Sequence, residues 1–259
     1  SIGSVSYWFY YRGDSGAHVG ATHVTEQKTD LIQRFNDTDK HMMVLLPDGS
    51  SVVLEPGAKL SFASNVKNNR REVSLSGKAF FEIAKNKEKP FLVHSSGLVT
   101  KVLGTSFLVD ATDKNAEVKV EVKTGVVTVF SVKDLSEVLK QKMLDNPENR
   151  GVQLIHDQKI AFSKDDGKIV QVAPKPNPAE PELMQESFVF DETPAREVFR
   201  QLEQSYNVKI IYNESRFADI PLNATLTGQP FSKKLEVICD ALDSHFKINQ
   251  GIITIERNE

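Results

Sequence analysis

Between residues 41 and 132, short β-prone runs, several of them alternating apolar and polar residues, are separated by turn residues, and no long helical period interrupts them. A period of two is what a strand needs when one face is buried and the other is wet. The runs therefore predict an all-β domain. Residues 42–46 and 51–54 flank Pro47-Asp48-Gly49-Ser50, where Asp-Gly tolerates the positive φ of a tight turn, so a hairpin is expected there. Further strands are expected over 72–75, 79–83, 91–94, 98–103, 106–110, 117–122 and 126–132, with the alternation plainest in Val118-Lys119-Val120-Glu121-Val122. Gly77, Gly97, Gly104 and Gly125 punctuate these runs and read as turn positions, because no glycine-rich loop leads into a helix as a phosphate cradle requires.

Asp134-Leu135-Ser136-Glu137 has the form of a capping box. It predicts a short amphipathic helix with Leu135, Val138, Leu139 and Met143 on one face, ended by Pro147 and Gly151. Strand-like runs resume at 152–155, 159–162 and 169–172. Pro174, Pro176, Pro178 and Pro181 then deny the backbone its donors and hold it extended, which marks a linker and a domain boundary.

Beyond the linker the chain repeats itself. The stretch 197–210 resembles 236–248 with one gap, and each copy reads as a helix followed by a strand. Ala195, Val198, Phe199 and Leu202 make one stripe; Leu235, Ile238, Cys239 and Leu242 make the other. Thr193 ahead of Pro194 is the expected N-cap of the first helix and Ser232 that of the second. Strands are expected before the helices at 187–190 and 222–226, and after them at 208–212, 246–248 and 252–255. Two β-α-β units side by side would make one small sheet with helices on one face. The whole chain is thus expected to be mainly β: a segment 1–40 that is membrane-proximal or forms edge strands, a β-rich domain at 41–172 that could take a solenoid form, a linker at 173–184, and a small α/β domain at 185–259.

Composition narrows the function. A net charge of −3 and a pI near 6.1 leave no basic surplus for a phosphate backbone, so nucleic acid is not an expected partner. The single Cys239 cannot form an internal disulfide and falls on an apolar stripe, where it reads as a small core residue. No stretch is long enough to span a bilayer. Tyr7-Trp8-Phe9-Tyr10-Tyr11 followed by Arg12 nevertheless has the character of a membrane interface, and a membrane helix largely missing from this chain is expected ahead of it. No nucleophile elbow, Walker loop, dinucleotide fingerprint or Cys-x-x-Cys is present, and His18 and His23 are too isolated for a metal claim. Binding rather than catalysis is expected, with no cofactor.

Several segments together carry a family resemblance. Leu46-Pro47-Asp48-Gly49-Ser50, Gly57 and Leu60, the run from Val73 through Ser76-Gly77-Lys78-Ala79-Phe80-Phe81-Glu82 to Ala84, Pro90-Phe91-Leu92-Val93, Val102-Leu103-Gly104-Thr105-Ser106-Phe107 and Gly125-Val126-Val127 resemble the FecR domain in order. The repeat with Phe188-Val189-Phe190-Asp191-Glu192-Thr193-Pro194 is similar to the domain that follows FecR in Bacteroidetes-type regulators, itself like the short N-terminal domain of secretins and TonB-dependent receptors. The resemblance implies a single-pass inner-membrane anti-sigma regulator with this chain on the periplasmic side. It implies as partner the signalling domain of a TonB-dependent outer-membrane transducer, and a sigma factor held only by a cytoplasmic domain absent here.

Exposed strand edges offer unpaired backbone groups to which a partner can add a strand. The candidate partner-binding residues are Val208, Ile210 and Tyr212 on one strand and Leu222, Ala224 and Leu226 on another. The alternative reading is an envelope module for a glycan or another small ligand, with Phe80, Phe81, Phe107 and Phe130 as an aromatic platform.

Overall fold

A computed structural model describes residues 31–63, 70–145, 151–172, 187–249 and 251–258. The aromatic opening at 7–12, the linker at 173–184 and the helix stop at Pro147 lie outside the described residues. The described residues are mainly β, with 49% strand and 17% helix. Among the described residues no helix is long and apolar enough to cross a membrane.

The β-rich part runs β1 (Leu31–Phe35), β2 (Met42–Leu45), β3 (Ser51–Leu54), β4 (Lys59–Ala63), β5 (Arg71–Glu82), β6 (Phe91–Ser95), β7 (Leu98–Val102), β8 (Ser106–Ala111), β9 (Glu117–Thr124), β10 (Val126–Ser131), α1 (Glu137–Asp145), β11 (Val152–Ile155), β12 (Lys159–Ser163) and β13 (Ile169–Val172). The strands form a nearly closed, barrel-like sheet in the order β11-β10-β7-β6-β5-β8-β9-β12-β13, with β3 and β4 also joined to β5. All of these pairings are antiparallel except β5 with β6. The body is thus a curled, barrel-like sheet whose strand order does not follow the chain, rather than the stacked coils of a solenoid.

Strand β5 organises this part. Its first half lies between β4 and β6, and its second half between β3 and β8. The change of neighbours falls at Gly77, which has φ +92 and sits so close to the 58 backbone that an added Cβ would lie 2.7 Å from Ala58 Cα. Inside the curl, Phe81 and Phe107 stack at 5.1 Å, surrounded by Val52, Leu54, Val109 and Val120. The hairpin at 47–50 forms as expected: Gly49 has φ +83 and donates its N–H to Leu46 O.

Helix α1 departs from its expected cap. Asp134 takes φ +58 in the preceding turn, and Ser136 is the capping residue, its Oγ accepting from the Leu139 N–H. The start moves by two residues, and the buried stripe moves with it. Val138 and Leu139 are exposed, while Leu144 is buried with Leu135 and Met143 against Leu92 and Phe130.

The C-terminal part comprises β14 (Val189–Pro194), α2 (Ala195–Tyr206), β15 (Lys209–Ile211), the short α3 (Glu214–Phe217), β16 (Pro221–Thr225), α4 (Phe231–Ala241), β17 (Ser244–Asn249) and β18 (Ile252–Arg257). Both predicted helical stripes are buried and face one core. The expected single sheet is instead two. The strands that precede the long helices pair with each other, β14 with β16, and those that follow them form β15-β18-β17. The repeat defines each strand-helix-strand unit, but strand exchange between units is a tertiary choice that no local pattern carries.

Neither long helix uses its expected side-chain cap. Thr193 belongs to β14 and its hydroxyl donates to Asp191 O, while Ser232 lies inside α4; Pro194 and Pro230 occupy the cap positions and have no side-chain donor or acceptor to offer. At α2 the orphan amides of Ala195 and Arg196 donate to Ile220 O and Ala218 O, so the α3–β16 connection does the capping.

Two outcomes follow from this packing. Gly77→Ala adds both a left-handed strain and a clash with backbone, and urea denaturation should show a loss of about 1–3 kcal/mol. Cys239 is buried, and burial pushes its thiol up to about 11. It should therefore resist iodoacetamide at pH 8 in the folded protein and react when urea is added, as mass spectrometry would record.

Candidate partner-binding surface and the junction between the two parts

Alternation along β15 and β16 decides which of the candidate residues can meet a partner. Ile210, Leu222 and Leu226 point into the core, and Val208, Tyr212 and Ala224 are half-buried against it. Tyr212 packs its ring on Phe199 at 4.6 Å, and burial, followed by Glu214 nearby, raises its phenol's pKa. A partner reaching these strands would touch the complementary set: Lys209 and Ile211 on β15, and Pro221, Asn223 and Thr225 on β16. Ile211 is 47% exposed, and Ile252 of β18, diagonal to it and opposite Lys209, is 40% exposed, so the outward face of the three-stranded sheet carries two exposed isoleucines. Lys209, His245 and Lys247 surround them, the last two paired with Glu256.

The strand rims are not equally open. The Ile210 N–H of β15 is already taken by the Glu203 carboxylate at 2.8 Å, and Lys209 Nζ lies 3.1 Å from the same oxygen. Among the described residues β17 pairs only with β18, and its Phe246 and Ile248 line a groove of about 590 Å3. The opposite wall of that groove is the hairpin turn Pro47, Asp48 and Gly49 of the β-rich part, with Ser232 and Glu236 of α4 beside it.

The groove borders a junction that the candidate residues do not include. Leu45 is buried in the C-terminal core rather than in that of its own sheet. Met43 touches both that core and the outer-face pair Val53 and Phe80. A polar contact crosses the junction at Glu82, the last residue of β5, which is only 7% exposed. Its Oε2 accepts from Ser51 Oγ at 3.0 Å within the β-rich part and from the Phe231 N–H at 3.1 Å across the junction. The first amide of α4 is therefore capped by a carboxylate from elsewhere in the fold, where the helix dipole favours negative charge. One turn further, Lys234 is fully buried, bonded to the Tyr206 hydroxyl, with its ammonium 4.6 Å from the centre of the Phe188 ring.

A signal for this junction is present in the chain. Strands buried on one face alternate, whereas Met42-Met43-Val44-Leu45-Leu46, Val52-Val53-Leu54 and Phe80-Phe81-Glu82-Ile83 do not. Such runs belong to strands covered on both faces, and β3 is indeed buried at every position.

The hairpin turn beside the groove is held from below. Asp48 Oδ2 accepts from Ser50 Oγ at 2.7 Å and from Arg71 Nη1 at 2.6 Å, and Ser50 Oγ accepts from the Ala84 N–H. Arg71 is buried over the Phe91 ring and also donates to Ala84 O and Lys89 O. The Leu46-Pro47-Asp48-Gly49-Ser50 segment thus ties the turn to the start of β5 and to the 84–89 loop. On the other flank, a hydrogen bond from His94 holds half-buried Glu72 below the usual carboxylate range against the opposing effect of burial.

The alternative aromatic platform does not form. Phe80, Phe81, Phe107 and Phe130 are all buried. Among the described residues no group of three or more His, Cys, Asp or Glu is placed to hold a metal ion.

The family pattern described as "FecR protein" matches residues 36–128, and that described as "FecR, C-terminal" matches residues 187–255. This chain belongs to the FecR family. The two matches fall on the β-rich part and the C-terminal part in the family's order, and together they cover well over half of the chain. Two crystal structures of a proposed anti-sigma factor from Parabacteroides distasonis, at 1.65 and 2.50 Å, are similar to it. The identities are 23% and 24%, and in both cases the TM-score is 0.46 with 88% of this chain and 100% of that chain covered. No curated protein sequence matches.

Asp48→Ala removes the partner of a buried guanidinium and frees the turn beside the groove. Breaking a buried pair on one side is expected to lower stability by about 3–5 kcal/mol. Urea titration of the variant measures it.

Proposed function

We propose that this FecR-family chain is the extracytoplasmic receiving region of an anti-sigma regulator. It relays the state of a TonB-dependent outer-membrane transducer by contact, without catalysis. Sigma-factor control belongs, in this reading, to a cytoplasmic region of the regulator, and the residues described above stand on the periplasmic side of the inner membrane. The observation that carries the proposal is the succession of two FecR matches along one chain. The sheet face around Ile211 and Ile252 supports it, since it places two exposed isoleucines among charged side chains. That composition is common in protein-recognition surfaces, where a dry centre supplies affinity and a polar rim supplies selectivity.

The placement of the candidates changes the variants that test the idea. Ile210 and Leu222 are core residues, so a charge at either would unfold the C-terminal part and mimic a binding defect. Ile211→Asp and Ile252→Asp change exposed positions and should leave the circular dichroism spectrum intact.

Calorimetry of the chain against the isolated signalling domain of the TonB-dependent receptor encoded beside it should give saturable binding. Each of the two aspartate variants should weaken that binding at least tenfold, about 1.4 kcal/mol. Absence of heat with the unmodified chain at high micromolar concentrations would remove the transducer from the proposal.

A further inference from the structure

We infer that the junction between the β-rich part and the C-terminal part is a two-state latch, and that Glu82 is the side chain that holds it shut. On the β-rich side the junction presents Met43, Leu45 and the Glu82 carboxylate, and on the other side it receives them with the C-terminal core and the first amide of α4. A groove of about 590 Å3 lies open along its border. Two folded parts of one chain tend to move relative to each other unless specific interactions hold them together.

Glu82 supplies that interaction. In the closed state its Oε2 is shared between Ser51, from its own sheet, and Phe231, from the other part. Helix α4 has Pro230 at its cap and no side-chain cap of its own, so parting the two bodies leaves the Phe231 N–H without this acceptor. Opening also uncovers Leu45 and Met43. These losses favour closure. They are opposed by the hydration that a buried carboxylate regains in water, a term of the same order as the hydrogen bonds it makes when buried. The closed form is therefore favoured by a small difference between large opposing contributions, and a partner that grips the C-terminal part can shift it by displacing Glu82 from the end of α4.

Amide-resolved hydrogen exchange on the unmodified full chain tests this. The Phe231 N–H is bonded to Glu82, whereas the Ile238 N–H lies in the middle of the helix. A latch predicts that Phe231 exchanges at least tenfold faster than Ile238, through an opening that does not unfold α4. Equal protection of the two amides would mean that the junction opens only with global unfolding, and would overturn the proposal. Glu82→Ala should accelerate exchange at Phe231 further and raise the radius of gyration seen by small-angle scattering. Ser51→Ala, which deletes the bond within the β-rich part and leaves the cross-junction acceptor in place, should do neither. A Glu82→Ala protein with a native circular dichroism spectrum, unchanged exchange at Phe231 and an unchanged radius would also overturn it. If that variant does not fold, Glu82→Gln, which keeps the size of the side chain and removes its charge, is measured by the same two readouts.

Discussion

Strand β5 has to satisfy hydrogen-bonding edges on both sides along two different halves, and the rest of the β-rich part is arranged to let it do so. Its first half is enclosed by β4 and β6 and its second by β3 and β8, so the strand belongs to both limbs of the curled sheet. A strand can change neighbours only where its backbone bends, and the bend at Gly77 brings it against Ala58 with no room for a side chain. The two ends of β5 then carry the chemistry of this part. Arg71 at the start is buried on Phe91 and fixes the hairpin turn through Asp48, while Glu82 at the end leaves the sheet to cap α4.

This places structural and functional constraints on the same few residues. The turn that gives the family segment Leu46-Pro47-Asp48-Gly49-Ser50 its shape also forms one wall of the groove, and the carboxylate that closes β5 meets the other part. Changes made to stabilise the β-rich part would therefore also alter its hold on the C-terminal part. The sheet face around Ile211 and Ile252 draws on different elements, β15 and β18, from those that make the junction. Substitutions on that face, at Ile211 or Ile252, therefore leave the Glu82–Phe231 contact in place.

The candidate strand residues show how far alternation carries an argument about a surface. β15 and β16 lie close to where the pattern puts them, but the pattern alone does not say which alternate set faces in. In β16 the most apolar residue, Leu222, goes to the core, but in β15 two identical neighbours divide, Ile210 inside and Ile211 outside, with Lys209, Asn223 and Thr225 also outside. The rim of β15 is likewise narrowed by Glu203, a helix residue whose carboxylate reaches a strand amide seven positions away. Nothing local to either residue announces that bond. The junction was more legible than the rim, because three runs without alternation imply strands covered on both faces.

What this chain determines by its own pattern is the kind and position of its elements. The period of two writes the strands, the two apolar stripes write α2 and α4, and Asp48-Gly49 writes the hairpin, because each depends on residues close in sequence. Tertiary structure alone decided which strands pair, so that one expected sheet became two, and what satisfies the helix ends, where distant carbonyls and Glu82 act in place of Thr193 and Ser232. The physical reason is the same in both cases. An unsatisfied backbone group must find a partner but does not specify which one, and the choice is made only when the whole chain has folded around it.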